Sequence, residues 1–562
     1  MTYVNDLPIT DDTMLDLLAG TVSRHGASPA IHYLGKTLTW NEADGLASRI
    51  AAGLSAHGVT SRDRVGLLMQ NMPQYMLSLL AIWKLGAIAV PINPMLLASD
   101  VRFILNDSGA SALIGLDSLV APILSDNDPT SLVPLIITTT ADEYSGNWPV
   151  TWRITDSSHS ATAYETVDWT DLVRSTTDGW APASVTPEMP AVVTYTSGTT
   201  GPPKGAINTH LNVVFACRFY ESWAELDHRD VILGIAPLFH ITGLVGHMGP
   251  SIATGAALVL GFRFDPVVIA SLIDRYRPTF TIGAITAFIS LMRQEGIDQR
   301  DMSSLTKVYS GGAPIAPTTV EDFQRVVGPY IHNIYGLTEA TGPCLAVPLG
   351  ARAPVDSTTG ALAAGIPVNN TEVKLVRDDG TLAATGEQGE LAMRGPQVVP
   401  GYWQRDAESA HAIRDGWLYT GDVAVMDADG WFFIVDRLKD QINASGFKVW
   451  PREVEDALVA HPDVVEAAVV GVADSYRGET VKGFVVLVAG STATPADLIA
   501  FSRTRLAAYK YPRSVEIVTN CRRPHPAKFF AGHFGRTLFD VSSSNRCRRV
   551  STHAGRRGSR RV

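Results

Sequence analysis

Ala191-Val-Val-Thr-Tyr195, running directly into Thr196-Ser-Gly-Thr-Thr-Gly-Pro-Pro-Lys204-Gly205, decides how this chain is read. The first five residues are apolar or β-branched and read as a strand. The next ten combine hydroxyls, three glycines and one lysine, a set suited to holding a nucleotide polyphosphate. Glycines let the backbone approach an anion and turn its N–H groups inward, hydroxyls donate further hydrogen bonds, and the lysine adds a mobile positive charge. The spacing is not that of the Walker A loop, because Lys204 follows Gly201-Pro-Pro and precedes Gly205 rather than Ser or Thr. A different nucleotide-binding class is indicated. A plain Gly/Thr surface turn is the competing reading, and it fits poorly behind an apolar run.

With 562 residues the chain exceeds a single hydrophobic core, so two or more domains are expected. Its 46% apolar and 18% charged content excludes large-scale disorder. Met1-Thr-Tyr-Val-Asn-Asp-Leu7 carries neither a basic nor an apolar leader region. The longest apolar stretch, Met76 to Ile92, is broken by Lys84 and Gly86 and is too short to span a bilayer, so it reads as a packed helix running into a strand. Four cysteines, at 217, 344, 521 and 547, show no pairing or metal-ligand spacing, which suits a reducing cytoplasm, the expected compartment. The net charge of −10 is uneven. Residues 520 to 562 hold eleven Lys/Arg and only Asp540, leaving 35 basic against 55 acidic groups in residues 1 to 519.

Strand-like apolar segments alternate with helical patterns over most of the length, which argues for α/β layers. Residues 60–69 read as a loop running into a strand, and further strands are expected at 87–92, 231–235, 257–260, 280–282 and 307–310. Helices are expected at 77–85, 266–276 and 317–326. From Glu372 short strands separated by turns, such as 390–394 and 431–435, indicate a β-rich subdomain. After Asp436 a charged, Gly-containing segment leads into a small α+β unit with helices at 451–460 and 495–509 and strands at 464–472 and 482–488.

Further clusters follow in an order that suits one reaction. Ser310-Gly-Gly-Ala-Pro314 closes a strand, and its glycines let backbone lie flat against a planar ligand such as adenine; a plain strand-to-helix turn is the alternative. Tyr335-Gly-Leu-Thr-Glu339 supplies an aromatic plate, a hydroxyl and a carboxylate, and a magnesium ion bridging ATP phosphates takes one or two such oxygens from protein. In Trp417-Leu-Tyr-Thr-Gly-Asp422 the aspartate suits the two hydroxyls of a ribose, although alone it reads more readily as a capping residue. Asp436-Arg-Leu-Lys-Asp-Gln-Ile442 is a charged linker or hinge. His240, within Pro237-Leu-Phe-His-Ile-Thr-Gly243, is by default a core histidine.

Together Thr196 to Gly205, Tyr335 to Glu339, Tyr419 to Asp422 and Asp436 to Glu455 resemble the adenylate-forming superfamily, in its acyl-CoA synthetase branch, over about residues 20 to 519. The resemblance implies an α/β fold with a large multi-layer N-terminal domain (1–435, including the β-rich subdomain) and a small mobile α+β domain (436–519). It further implies an enzyme that forms an acyl-adenylate from a small-molecule carboxylic acid and ATP, then passes the acyl group to coenzyme A. By that likeness Thr196, Ser197, Gly198, Thr199, Thr200, Gly201 and Lys204 hold the β- and γ-phosphates. Thr338 and Glu339 serve phosphate and Mg²⁺, with Glu339 the metal ligand. Tyr335 and Gly336, with Gly312, Ala313 and Pro314, flank adenine, and Asp422 with Arg437 holds the ribose. Lys439 corresponds to the hinge, Ser445-Gly446-Phe447 to the loop lining the pantetheine tunnel, and His240 to the mouth of the acyl pocket. Amino-acid-activating relatives present an aspartate where this chain has Phe239-His-Ile-Thr-Gly243, so a non-amino acid is favoured. Small, apolar Thr281-Ile-Gly-Ala-Ile-Thr-Ala287 around the expected pocket suits a fatty or aryl acid. The rival readings are an acyl-adenylate ligase that loads a carrier-protein thiol, and a nucleotide-binding pseudoenzyme.

The resemblance stops after Tyr511-Pro-Arg-Ser-Val-Glu-Ile-Val518. Where the family carries Pro-Lys-Thr…Gly-Lys, whose second lysine serves adenylation, this chain has Thr519-Asn-Cys-Arg-Arg-Pro-His-Pro-Ala-Lys-Phe529. Back-translated from Asn520 and read from the third base, with wobble bases chosen, it gives Leu-Pro-Lys-Thr-Pro-Pro-Gly-Lys-Ile-Leu-Arg-Arg-Ala-Leu-Arg, the missing segment. Residues 520–562 are therefore read as an out-of-frame, disordered basic tail, produced by a base lost near codon 520. Its arginines follow from GC-rich codons read out of frame, and no nucleic-acid partner is inferred. We predict that the gene sequence across codon 520 contains the Leu-Pro-Lys frame; codons that encode Cys-Arg-Arg with no such overlapping frame would overturn the slip.

Overall fold

The computed structural model describes residues 6–124, 133–146, 148, 166–196, 202–357, 360–437, 442–444, 447–449, 451–474, 478–506 and 510–518. Ser197 to Gly201, Lys439, Ser445, Gly446 and the basic tail lie outside the described residues, as do the side chains of Arg437 and Phe447.

Two large sheets organise the N-terminal part. The nine-stranded sheet has a parallel centre made by Pro29–Tyr33, Ala257–Leu260, Val231–Leu233, Phe280–Gly283, Lys307–Ser310 and Ile331–Leu337, with antiparallel strands at both edges. In the seven-stranded sheet all pairs are parallel except the last, where Pro190–Thr196 runs antiparallel to Lys204–Thr209. Parallel strands need crossovers, and the helices that provide them cover both faces.

The period of two along each strand divides the cores. Ile232 and Leu258 point into the largest core, shared by both sheets, while their neighbours Leu233 and Val259 point into the core beneath the helices Pro266–Tyr276, Ile285–Met292 and Pro317–Val327. A third core lies on the outer face of the seven-stranded sheet against Ala98–Ser108 and Asp117–Leu124. The layers therefore run helix, sheet, helix, sheet, helix. At the centre lies Pro73–Lys84, buried along its whole length, as its continuous apolar sequence requires. Its one cation, Lys84, is neutralised by Asp44 at 2.8 Å.

Local signals set the element ends. Asp265 accepts hydrogen bonds from Val267 N and Val268 N, Pro266 occupies the first helical position, and Arg277 closes the helix in the left-handed region. The strand expected at 231–235 stops at Leu233 because the Asn71 side chain takes the carbonyls of Gly234 and Ala236 and accepts from Leu238 N. The helix expected at 495–509 ends at Arg503, where the Thr504 hydroxyl turns back to the Phe501 carbonyl at 2.8 Å. The other helices and strands fall within a few residues of expectation.

Residues 372–437 form a five-stranded antiparallel sheet on a core around Leu391, Met393 and Phe432 that also takes in Cys344 and Leu345 of the nine-stranded sheet. Residues 442–518 form another sheet, in which Ser514–Ile517 joins Gly478–Leu487 in parallel and Val515 enters a core with Val454, Leu458 and Val485.

Burial lowers His210 to about 4 and His247 to about 3. Between pH 6.5 and 5 both take up protons on unfolding but stay neutral when folded, so stability falls as pH drops through that window. Urea titrations are predicted to lose up to about 1.4 kcal/mol per pH unit for each histidine. His247→Asn should remove one histidine's share; an unchanged slope would contradict this assignment.

Candidate active site

The antiparallel strands Pro190–Thr196 and Lys204–Thr209 set Thr196 directly opposite Lys204 at the edge of the sheet. Tyr195 anchors the approach by donating to Asp107 at 2.8 Å, and Asp107 in turn pairs with Arg405 at 2.5 Å. Burial and the Asp107 carboxylate push the Tyr195 hydroxyl far up, so it remains a donor. Among the described residues the Lys204 ammonium enters no salt bridge; it lies 5.5 Å from the centroid of the Tyr402 ring.

Thr338 and Glu339 occupy a single 3-10 turn, Thr338–Ala340, that follows the strand Ile331–Leu337. The half-buried Glu339 accepts a hydrogen bond at Oε1 from Tyr402 Oη at 2.8 Å, and no Lys or Arg pairs with it among the described residues. One carboxylate with a neighbouring hydroxyl, left without a protein cation, matches a Mg²⁺ that keeps several waters and takes its remaining ligands from phosphates. No group of three or more potential metal ligands occurs among the described residues.

Tyr335, on the same strand, donates to Asp422 Oδ2 at 2.6 Å. Asp422 is 6% exposed and sits in Trp417–Met426 opposite Arg437, whose backbone is paired although its side chain is not described. Desolvation and the adjacent carboxylate hold the Tyr335 hydroxyl far above its ordinary range. One short bond thus joins two residues named separately in the sequence. Gly311 and Gly312 follow Lys307–Ser310. A Cβ on Gly311 would meet the Ile334 carbonyl at 2.6 Å, and Gly312 has φ +80, so close approach and the left-handed turn both exclude larger residues; Ala313 and Pro314 continue this bend.

His240 caps the short helix Ile241–Gly243, its Nδ1 3.2 Å from Thr242 N. Desolvation lowers it to about 4, so it is neutral at pH 7. It borders a cleft whose walls include Tyr75, Val192, Thr194, Phe239 and Leu244. None of Thr281 to Ala287 lines this cleft. Thr281 donates to the Leu233 carbonyl inside the sheet, and Ile285, Ala287 and Phe288 pack into the outer core.

Three contributors went unread in the sequence. Tyr402 carried no signal beyond the glycine before it. Asn208, wholly buried, joins Thr194 to Thr338 and Thr341, and its one signal was an amide in an otherwise strand-like run. Asn71 holds the loop leading to His240.

The chain matches the AMP-binding enzyme family over residues 18–403 and the AMP-binding enzyme C-terminal domain over residues 453–525. It is 35% identical over 535 residues to a long-chain-fatty-acid–CoA ligase of Bacillus subtilis (strain 168), covering 92% of this chain and 93% of that protein. It is 33% identical over 508 residues to a feruloyl-CoA synthase of Amycolatopsis sp, covering 90% and 95%. A crystal structure of an anthranilate CoA ligase in complex with anthranoyl-AMP superposes with a TM-score of 0.80 at 26% identity, covering 92% of this chain and 95% of that one.

Removing the Asp422 carboxylate deletes a charged acceptor, an effect of about ten- to hundredfold on nucleotide affinity. Calorimetry with ATP is predicted to show such a loss for Asp422→Ala and a smaller one for Tyr335→Phe. Unaltered binding in Asp422→Ala would remove Asp422 from the site.

Proposed function

The chain belongs to the AMP-binding enzyme family, in its acyl-CoA synthetase branch, and from that premise we propose that it ligates a fatty or aryl acid to coenzyme A through the site just described. In the first half-reaction an acid carboxylate oxygen attacks the α-phosphorus of ATP, forming the acyl-adenylate and expelling pyrophosphate. In the second, the thiol of coenzyme A attacks the acyl carbon; the C–S bond forms, the acyl–phosphate C–O bond breaks, AMP leaves and the thiol proton is lost.

The observation that carries this reading is the convergence of Lys204 and Glu339 on one tyrosine at the mouth of the glycine-rich hairpin. Negative charge grows on the phosphate oxygens and on the departing pyrophosphate, and donors already in place stabilise it without reorganisation. Thr196, the loop 197–201 and Lys204 provide such donors. Glu339 with Thr338 would hold Mg²⁺, which supplies charge neutralisation at the phosphates. The Tyr335–Asp422 pair and Gly312 to Pro314 orient the nucleoside. His240, neutral at the cleft rim, brings no charge to repel or retain the acid, in keeping with an uncharged acyl body.

The domain division at residues 435 and 436, the hinge role of Lys439, the pantetheine-lining role of Ser445 to Phe447 and a cytoplasmic location belong to this proposal. No helix among the described residues is long and apolar enough to cross a membrane. The tail bears on the first half-reaction alone. Without the family lysine after Val518, adenylation loses a transition-state cation, and one such donor is worth about 10²–10³ in rate.

AMP release is to be measured over a panel of fatty and aryl acids, with and without coenzyme A, using the frame-restored protein. Acid-dependent, CoA-stimulated release is expected. Release that requires a carrier protein instead of coenzyme A would favour the carrier-loading alternative. The chain as written should convert supplied acyl-adenylate and coenzyme A to acyl-CoA while showing weak pyrophosphate exchange; vigorous exchange would show that the lysine is dispensable.

A further inference from the structure

The turn that carries Glu339 closes on its own backbone bond from Thr341 N to the Thr338 carbonyl at 3.0 Å and is braced from outside as well. Thr338–Ala340 is a single 3-10 turn, and the residue that ends it, Thr341, is a fully buried β-branched residue at φ +48. β-Branched residues are rarely found in the left-handed region, and they persist there where surrounding contacts enforce the conformation, often at functional sites. Two side chains from outside the turn provide those contacts.

The first is Asn208, 0% exposed, on the strand that leaves the glycine-rich loop. Its Nδ2 donates to the Thr338 carbonyl at 3.1 Å and to Thr341 Oγ1 at 2.9 Å, and its Oδ1 accepts from Thr194 Oγ1 at 2.9 Å. Thr194 lies on the strand that enters the same loop. One amide therefore ties both stems of the hairpin to the turn. With three short hydrogen bonds, Asn208 is satisfied only when hairpin and turn keep one register.

The second is Tyr402. Gly401 O accepts from Ile207 N at 3.0 Å and Trp403 N donates to Gly205 O at 2.7 Å, so the segment is strapped along the hairpin just past Lys204. From there Tyr402 Oη reaches Glu339 Oε1 at 2.8 Å while its ring lies 5.5 Å from Lys204 Nζ.

We propose that Asn208 and Tyr402 are positioning residues that lock the Glu339 carboxylate in register with Lys204 across the glycine-rich loop, and so set affinity for the metal–nucleotide complex. The inference rests on the functional reading above, in which Glu339 meets a divalent cation on ATP. Partners of this kind, behind a metal ligand, are worth about 10–100-fold in metal affinity.

The test uses the full chain without acid or coenzyme A, so that no turnover occurs, with Mn²⁺ and ATP as probes. Bound Mn²⁺ is read by electron paramagnetic resonance, and ATP binding in EDTA by calorimetry. Tyr402→Phe keeps the ring beside Lys204 and removes only the hydroxyl. It should weaken Mn²⁺-dependent ATP binding about tenfold while leaving binding in EDTA unchanged. In a Glu339→Gln background the same change should have less than about a twofold effect, because its only route of action is gone. Asn208→Leu should show the same metal-selective loss; should that variant fail to fold, Thr341→Val retains the β-branched shape, breaks the same tether and reads the same quantity. Equal Mn²⁺·ATP affinity in Tyr402→Phe and the wild type, or a loss of the same size in EDTA, would overturn the proposal. A wild-type chain that binds no Mn²⁺·ATP would overturn the functional reading itself, and this inference with it.

Discussion

One antiparallel pairing, Thr196 against Lys204, is the constraint on which the site depends. Elsewhere in the seven-stranded sheet every pair is parallel, and helices such as Pro73–Lys84 and Ala98–Ser108 carry the chain from one strand to the next. At this edge the chain instead returns on itself, and the return contains the glycines, hydroxyls and lysine. A parallel connection would have carried Lys204 away along a helix; the hairpin holds it at the strand ends. The segment Gly401–Trp403 bonds to the outgoing strand, and the Thr338–Ala340 turn bonds to its interior, so later parts of the chain take their positions from this pair.

The nucleoside end has a different support. Tyr335 lies on the nine-stranded sheet and Asp422 belongs to the antiparallel subdomain, so their 2.6 Å hydrogen bond joins the two beside the core they share around Leu345, Leu391 and Phe432. A buried carboxylate needs hydrogen-bond donors, and the Tyr335 hydroxyl supplies one to Asp422.

What the sequence disclosed follows from the range of the interactions involved. The helix Pro266–Tyr276 was legible residue by residue because Asp265, Pro266 and the apolar spacing all act within one turn. Gly312 and Asp422 were legible because a backbone conformation or a chemical type limits the choice at those positions. Asn208 and Tyr402 were not, since their meaning lies in contacts 130 and 63 residues distant along the chain. Neither residue type announces such a partner. Small apolar residues such as Thr281 to Ala287 suit a ligand wall and a sheet-to-helix junction equally, and the hydrogen bond from Thr281 to the Leu233 carbonyl makes that threonine part of the sheet.

The C-terminal sheet separates folding from chemistry. Ser514–Ile517 completes it, Val515 closes the core beside Val454 and Leu458, and Val518 N still donates to Val485 O at 2.9 Å. Every described contact of that core is made before Thr519. A frame change beyond this point leaves the apolar surface of the small unit covered while replacing the residues that follow, so selection for a stable fold does not resist it. Loss of a lysine that acts only in the adenylating arrangement would then be invisible to stability and visible to one half-reaction alone. That asymmetry arises because the last strand ends where the catalytic segment of the family begins.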